Sequence, residues 1–162
     1  MIQAVVITCS DGVTSGHRHD LSGPAVRQLL EENGYEVTAL QVVPDERPVI
    51  SAAIVAAIDG GARLVVTAGG TGISPRDVTP EATTDIADRI IPGLGELMRA
   101  ESLQSTRMAS LSRAQAVTRG LALVVNLPGS RNGAVDNLKS VLGLIPHALE
   151  LLSGVRVDEH PR

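Results

Sequence analysis

The stretch RLVVTAGGTGISPRDVTPEAT, residues 63 to 83, decides the fold. It opens with a continuous apolar run, which is typical of a strand covered on both faces. It closes with Thr79 as a helix cap and Pro80 as the first helical residue. The loop from Gly69 to Thr79 takes eleven residues, where about two to six usually connect a strand to a helix. A loop of that length after a buried strand indicates a ligand site.

Apolar runs of the same kind lie on either side of this stretch, at AVVIT (4–8) and LALVVN (121–126). The segment YEVTALQVV (35–43) alternates more and predicts an edge strand. Helical patterns lie between the strands, and the first of them has Ser22 as its predicted N-cap. The region from 92 to 119 predicts an α-helical insertion before the last strand. Strands that alternate with helices predict an α/β fold with a mainly parallel sheet.

Composition narrows the class of protein. Of its 162 residues, 43% are hydrophobic and Tyr35 is the single aromatic, so the core must be built from Val, Ile, Leu and Ala. With 14 basic and 18 acidic residues, the formal net charge is -4 and long basic clusters are absent, which argues against a nucleic-acid partner. The single cysteine, Cys9, excludes disulfides within the chain and multi-cysteine metal sites, and we interpret it as a buried small hydrophobe.

Targeting and membrane signals are missing from the sequence. The chain begins directly with a strand pattern, and no apolar run approaches the roughly 18 residues of a membrane span. We therefore predict a cytoplasmic protein without a membrane partner. One domain is predicted over residues 1 to 154, followed by a tail over residues 155 to 162 that is either a short edge strand or disordered.

Small, turn-forming and acidic residues follow each predicted strand. In open α/β sheets, ligands bind at the carboxyl ends of the strands. Glycines there let the backbone approach a ligand and form an anion-binding nest, to which hydroxyl groups can add. The pattern predicts a phosphate site. For the glycine loop, the stretch over residues 69–78, a tight structural turn is the alternative. The segments are CSDG (9–12), VVPDE (42–46), TAGGTG (67–72) and NLPGS (126–130), and the hydroxyls belong to Ser10, Thr71 and Ser130.

The glycine loop matches none of the commonest phosphate motifs. It lacks the lysine that a P-loop requires, and it lacks the third glycine of the dinucleotide fingerprint. GxSxG is also absent, which weakens a hydrolase interpretation. The phosphate prediction therefore rests on local chemistry.

Three acids stand at these strand ends, Asp11, Asp45 and Asp77. Carboxylates beside a phosphate repel it unless a cation stands between them, and Mg²⁺ takes one or two carboxylates together with phosphate oxygens. The three acids therefore predict a magnesium site. The alternative is that Asp11 is a turn residue and Asp77 braces the loop.

Histidine and arginine residues near the same loops are less specific. His17 and His19 lie in a polar stretch without another His or Cys ligand nearby, so we interpret it as a mobile loop rather than a metal site. Arg76 and Arg131 flank the candidate phosphate loops, and we expect one of them to contact the ligand.

Together these segments resemble the molybdenum-cofactor biosynthesis family that includes bacterial MogA- and MoaB-type proteins and domains of plant Cnx and animal gephyrin. The matching motifs follow one another over almost the whole chain, and PRDVTPEAT is specific. They are SDG (10–12), DLSGP (20–24), VPDE (43–46), GGTGISPRDVTPEAT (69–83), PGLGELMR (92–99), LSR (111–113) and NLPGS (126–130).

The resemblance implies a three-layer α/β/α fold of the molybdopterin-binding-domain type and a homotrimer. It also implies ATP and molybdopterin as substrates. In catalytic members the terminal phosphate of molybdopterin attacks the α-phosphorus of ATP, which gives adenylyl-molybdopterin and pyrophosphate with Mg²⁺. Whether a separate molybdenum-insertion protein receives the product stays open at this point.

The same resemblance implies roles for particular residues. Asp45 and Asp77 match acids that position metal and nucleotide, so these two are the predicted catalytic and metal-binding residues. Ser112 matches a serine on the pterin side. The residues that match nucleotide- and phosphate-binding loops are Ser10, Asp11, Gly70, Thr71, Gly72, Gly129 and Ser130.

Three other functions remain open at this point. A MoaB-like protein would bind molybdopterin with little or no adenylylation, and pyrophosphate release separates it from an enzyme. A non-catalytic scaffold, or an enzyme that processes another nucleotide on a related domain, would also fit parts of the pattern. Leu94, Leu97 and Met98 could serve either the core or a contact between subunits.

Overall fold

The computed structural model describes residues 1 to 154, and the predicted tail over 155–162 lies outside them. The strands are β1 (Ile2–Cys9), β2 (Tyr35–Val43), β3 (Leu64–Ala68), β4 (Arg89–Ile90), β5 (Ala116–Arg119) and β6 (Ala122–Leu127). The α-helices are α1 (Asp11–Thr14), α2 (Ser22–Glu32), α3 (Arg47–Asp59), α4 (Thr79–Asp85), α5 (Pro92–Leu103), α6 (Arg131–Leu142) and α7 (Ile145–Leu152). A 3₁₀ helix spans Arg107–Leu111.

The strands form one six-stranded sheet in the order β2-β1-β3-β6-β5-β4. The first four are parallel, because β1 pairs with β2 and β3, and β3 pairs with β6 in the same direction. The two strands at the other end run antiparallel. The prediction of a mainly parallel α/β fold is confirmed, and so is the edge position of β2.

The prediction of an α-helical insertion over residues 92 to 119 is right for the first part of this region and wrong for its end. This region starts as α5 but ends in β5, which pairs antiparallel with β6 through a tight connection at Gly120 and Leu121. Gly120 has a φ of +54°, which favours glycine at that turn. β5 was not recognised as a separate strand because it has only four residues and is followed closely by the longer apolar run of β6.

Helices cover both faces of the sheet and give a three-layer α/β/α arrangement. One face packs against α2, α5, α6 and α7, and the other packs against α3 and α4. The continuous apolar runs of β1, β3 and β6 supply buried side chains to both layers, as strands covered on both faces should. Leu94 and Met98 are buried in this core, whereas Leu97 keeps 37% of its surface exposed.

Two predicted helix caps are wrong. Ser22 is the first helical residue of α2 rather than its cap, and the N–H of Gly23 instead donates to Asp20 Oδ1 at 2.9 Å. Thr79 is likewise the first residue of α4, whose cap position receives no side-chain hydrogen bond within residues 1 to 154. In the first case a carboxylate two residues upstream satisfies the free N–H of the first turn, which is the role that Ser22 was expected to fill.

Backbone contacts bring the loops after β1, β3 and β6 together at the carboxyl edge of the sheet. Gly69 has a φ of +105°, and a Cβ there would lie 2.3 Å from the carbonyl oxygen of Cys9. A Cβ on Gly129 would lie 3.3 Å from the Cα of Gly69. Glycine therefore allows three loops to touch one another. No helix within residues 1 to 154 is long and apolar enough to cross a membrane.

Candidate active site

A cavity of about 600 Å³ lies where these three loops meet. Eight of the predicted site residues line it, but Asp11 and Ser112 do not. The eight are Ser10, Asp45, Gly70, Thr71, Gly72, Asp77, Gly129 and Ser130.

Asp45 and Asp11 are joined by reciprocal hydrogen bonds. The N–H of Asp11 donates to Asp45 Oδ2 at 2.9 Å, and the N–H of Asp45 donates to Asp11 Oδ1 at 3.0 Å. These bonds fix the loop after β2 against the loop after β1. Asp11 therefore supports the wall of the cavity from outside it.

Asp45 is the acid with a free, buried oxygen. Its Oδ1 is shielded from solvent and accepts no hydrogen bond from the described residues. Desolvation raises the pKa of Asp45, and the negative charges of Asp11 and Asp77 raise it further against the opposing hydrogen bond from the Asp11 N–H. A buried carboxylate oxygen beside a second acid is a position that favours a cation.

Asp77 is held by its own loop. Its Oδ2 accepts the N–H of Ser74 at 2.9 Å, and its N–H donates to the carbonyl of Ser74 at 2.9 Å. A Cβ on Gly72 would lie 2.8 Å from Asp77 Oδ2, and a Cβ on Gly70 would lie 3.1 Å from Asp45 Oδ1. The missing side chains of these two glycines let both carboxylates lie directly against the loop.

The donor set fits a hard cation that takes few protein ligands. Within the described residues, no group of three or more His, Cys, Asp or Glu side chains could hold a metal ion. Two carboxylates, one of them with an unpartnered oxygen, suit Mg²⁺, which completes its shell with water and phosphate oxygens. His17 Nδ1 lies 2.7 Å from Ser15 Oγ, and His19 lines the cavity.

The loop after β6 closes the cavity with the start of α6. Ser130 caps this helix, because its Oγ accepts the N–H of Gly133 at 3.1 Å. Arg131 follows it and lines the cavity. Arg76, by contrast, donates two hydrogen bonds to Asp11, at 2.8 and 3.0 Å, and this pairing lowers the pKa of Asp11. Of the two arginines, Arg131 is the one at the cavity.

Sequence reasoning missed Arg18 and Asp20, which also line the cavity. The Arg18 side chain crosses Gly12, where a Cβ would lie 2.7 Å from Arg18 Cδ. Asp20 Oδ2 accepts the hydroxyl of Thr8 at 2.7 Å. The signals for Asp20 were its place in the matching motif DLSGP (20–24) and its position two residues before a helix start, whereas the polar surroundings of Arg18 gave none.

Cys9 lies at the floor of the cavity, and its prediction as a buried small hydrophobe is confirmed. Desolvation raises the pKa of its thiol to about 12, and the neighbouring Thr79 hydroxyl acts in the opposite direction. The thiol therefore stays protonated near neutral pH and is a poor nucleophile.

A second cavity of about 270 Å³ adjoins the first. Ser112 lines it, together with apolar side chains such as Met108 and Leu111. Thr71, Gly72 and Ser130 line both cavities, so the glycine loop is their common wall. The predicted residues thus divide between two adjoining spaces rather than sharing one.

Comparison with known proteins adds an independent line of information. Residues 5–147 match the family model described as a probable molybdopterin binding domain. The chain is 39% identical over 154 residues to a molybdopterin adenylyltransferase of Helicobacter pylori, with 92% of this chain and 86% of that protein covered.

Two further relatives extend this result. A molybdenum cofactor biosynthesis bifunctional protein of Synechococcus elongatus is 38% identical over 151 residues, which cover 93% of this chain and 47% of that protein. The chain therefore spans about half the length of this bifunctional relative. The crystal structure of a molybdopterin biosynthesis enzyme MoaB from Thermus thermophilus superposes with a TM-score of 0.89 at 46% identity, covering 95% of this chain and 98% of that one.

Proposed function

The chain belongs to the family of probable molybdopterin binding domains, and we propose that it is a molybdopterin adenylyltransferase of molybdenum cofactor biosynthesis. One observation carries the proposal: Asp45 and Asp77 line one cavity together with the glycine loop, and within residues 1 to 154 the buried Oδ1 of Asp45 has no hydrogen-bond partner. The relative from Helicobacter pylori with the same activity in its name supports it.

The proposed reaction forms one P–O bond and breaks another. An oxygen of the terminal phosphate of molybdopterin attacks the α-phosphorus of ATP, and the bond to the bridging oxygen of pyrophosphate breaks. A phosphate monoester is already anionic near neutral pH, so the protein needs no strong general base. Positioning and charge neutralisation are then the main tasks of the site.

The two cavities suggest how the substrates are divided. We assign the cavity of about 600 Å³ to the nucleotide, with the backbone N–H groups at Gly70, Thr71 and Gly72 as phosphate donors. We assign the smaller cavity with Ser112 to the pterin. Gly129, Ser130 and Ser10 would complete the nucleotide wall, and Asp11 would keep Asp45 in place through the reciprocal hydrogen bonds.

Mg²⁺ would be held by Asp45 and Asp77 and would supply neutralisation of the phosphate charge. Without a cation, the ionised carboxylates would repel the triphosphate that the glycine loop attracts. Arg131 and Arg18 line the same cavity and can donate to phosphate oxygens.

The test is Mg²⁺-dependent pyrophosphate release from ATP, measured with and without molybdopterin. We expect release to require molybdopterin and to be abolished by Asp77→Asn, with folding unchanged by circular dichroism. Asp59→Asn, at the exposed end of α3, is the matched control and should retain full activity. Equal turnover by Asp77→Asn would remove Asp77 from the mechanism.

A second candidate is a MoaB-like protein that binds molybdopterin with little or no adenylylation. The similarity to the MoaB enzyme of Thermus thermophilus favours keeping it. Tight binding of molybdopterin without pyrophosphate release would select this function. We further propose a cytoplasmic homotrimer that passes its product to a molybdenum-insertion protein.

A further inference from the structure

We propose that Arg113 is a positioning residue that fixes the common wall of the two cavities, and with it the carboxylate of Asp77. This inference rests on the proposed function, since it assigns one substrate to each cavity. Arg113 lines neither cavity. Its effect on the reaction must therefore pass through the loop that it holds.

The guanidinium of Arg113 donates hydrogen bonds to backbone carbonyls of the glycine loop. Its Nε donates to the carbonyl of Gly72 at 2.7 Å, and one terminal nitrogen donates to the carbonyl of Asp77 at 2.7 Å. The other terminal nitrogen pairs with the carboxylate of Glu81 in α4. The backbone N–H of Arg113 also donates to the carbonyl of Thr71 at 2.8 Å.

These contacts span the loop from its start to its end. Thr71 and Gly72 line both cavities, and Asp77 is the proposed metal ligand. The planar fork of arginine reaches two carbonyls and a carboxylate through three separate nitrogens, whereas lysine carries all of its donors on a single nitrogen. The structure thus ties one side chain to the wall between the substrates and to the residue that would hold Mg²⁺.

Glu81 supports the orientation of the guanidinium. Burial opposes ionisation of Glu81, but its hydrogen bond and ion pair with Arg113 outweigh this and lower its pKa overall. Glu81 touches neither loop carbonyl, so its contribution is to keep the arginine in place. The bonds to Gly72 and Asp77 do the positioning.

An ordinary surface ion pair provides the comparison. Arg47 donates two hydrogen bonds to Asp85, at 2.6 Å each, and so joins α3 to α4 without contacting the glycine loop. Both arginines therefore link separate elements through a carboxylate. Only Arg113 adds carbonyls of the cavity wall, which makes Arg47 a matched control.

The experiment compares Arg113→Lys with Arg47→Lys in two measurements. The first is pyrophosphate release, for which Arg113→Lys should lower kcat by roughly 10- to 100-fold while the KM values for ATP and molybdopterin change little, because displaced groups slow a reaction more than they weaken binding. The second is hydrogen exchange of the amides at 69–78, which should become faster. Arg47→Lys should leave both unchanged.

Glu81→Gln separates the ion pair from the carbonyl bonds. We expect this variant to lose much less kcat than Arg113→Lys, since its arginine can still donate to Gly72 and Asp77. Wild-type kcat and loop protection in Arg113→Lys would overturn the proposal. Unfolding of that variant at the assay temperature would overturn it as well, because Arg113 would then belong to the stability of the whole fold.

The exchange measurement also separates this proposal from the proposed function. If the wild-type protein releases no pyrophosphate, the adenylyltransferase assignment fails. Faster exchange at 69–78 in Arg113→Lys alone would still establish that Arg113 holds the loop, and unchanged exchange would reject it.

Discussion

Asp45 carries a charge that the folded chain disfavours when no cation is bound. Its pKa is raised, chiefly by desolvation, so its contribution to stability is present below the unfolded pKa and is lost as pH rises through the folded pKa. Above that range the ionised carboxylate works against folding. Solvent screening keeps the effect small, because Asp45 is only partly buried.

Asp45→Asn should therefore stabilise the metal-free protein at neutral pH. The amide oxygen of asparagine can still accept the N–H of Asp11, while the repulsion from Asp11 and Asp77 disappears. We expect the Tm of the metal-free protein to rise by roughly 2 °C and catalysis to be lost. Calorimetric scans from acidic to neutral pH provide the measurement, and an equal gain at every pH would contradict the assignment to ionisation.

At the residue scale, the sequence predicts that the acids and glycines lie at one edge of the sheet, but it does not predict all of the contacts that hold them there. Asp45 and Asp77 could be predicted because strand ends converge at one edge of a parallel sheet. Arg113 could not, because its carbonyl acceptors lie 36 and 41 residues away in the chain. No local pattern records such a contact.

Among the elements, the loop after β3 depends on a backbone conformation that only glycine adopts easily. Gly69 combines a φ of +105° with a carbonyl 2.3 Å from its would-be Cβ. At Gly93, inside α5, the described residues beyond its own helical turn place no atom within 4 Å of the same position. The two glycines offer a direct comparison between a required and a replaceable residue.

Gly69→Ala should cost roughly 2 kcal/mol or more of the free energy of unfolding, since strain and a backbone clash act together. Gly93→Ala should be neutral or stabilising by up to about 1 kcal/mol, because alanine is the better helix former. Chemical denaturation measures both. A Gly69→Ala protein as stable as the wild type would show that the loop can rearrange freely.

The strongly apolar strands and the longer helices were predictable, whereas the antiparallel strands β4 and β5 were not. The strongly apolar strands have continuous apolar runs that must be buried on both faces. The other two have two and four residues, too few for an alternating pattern to appear. Both segments form strands because they pair with neighbouring strands, and their own sequences do not specify a strand.

For the whole molecule, the homotrimer remains a prediction. Leu94 and Met98 serve the chain's own core, which leaves Leu97 as the exposed member of the predicted set. Light scattering on the purified protein should give three times the chain mass of 16.9 kDa. Leu97→Asp should lower that mass, while Leu151→Asp, also exposed, should not. A monomeric wild-type protein would contradict the prediction.

The direction of β5 has a consequence for how this molecule can change over evolution. Since β5 is antiparallel, its first residue, Ala116, pairs with Val125 near the end of β6, and the segment before β5 therefore reaches the same edge as the loops that follow the parallel strands. The chain segments that contact the proposed acceptor, molybdopterin, and the proposed donor, ATP, thus enter the site from opposite directions. Insertions or substitutions between α5 and β5 that preserve Arg113 can reshape the molybdopterin cavity while the glycine loop stays intact, so substrate choice can diversify separately from phosphate chemistry.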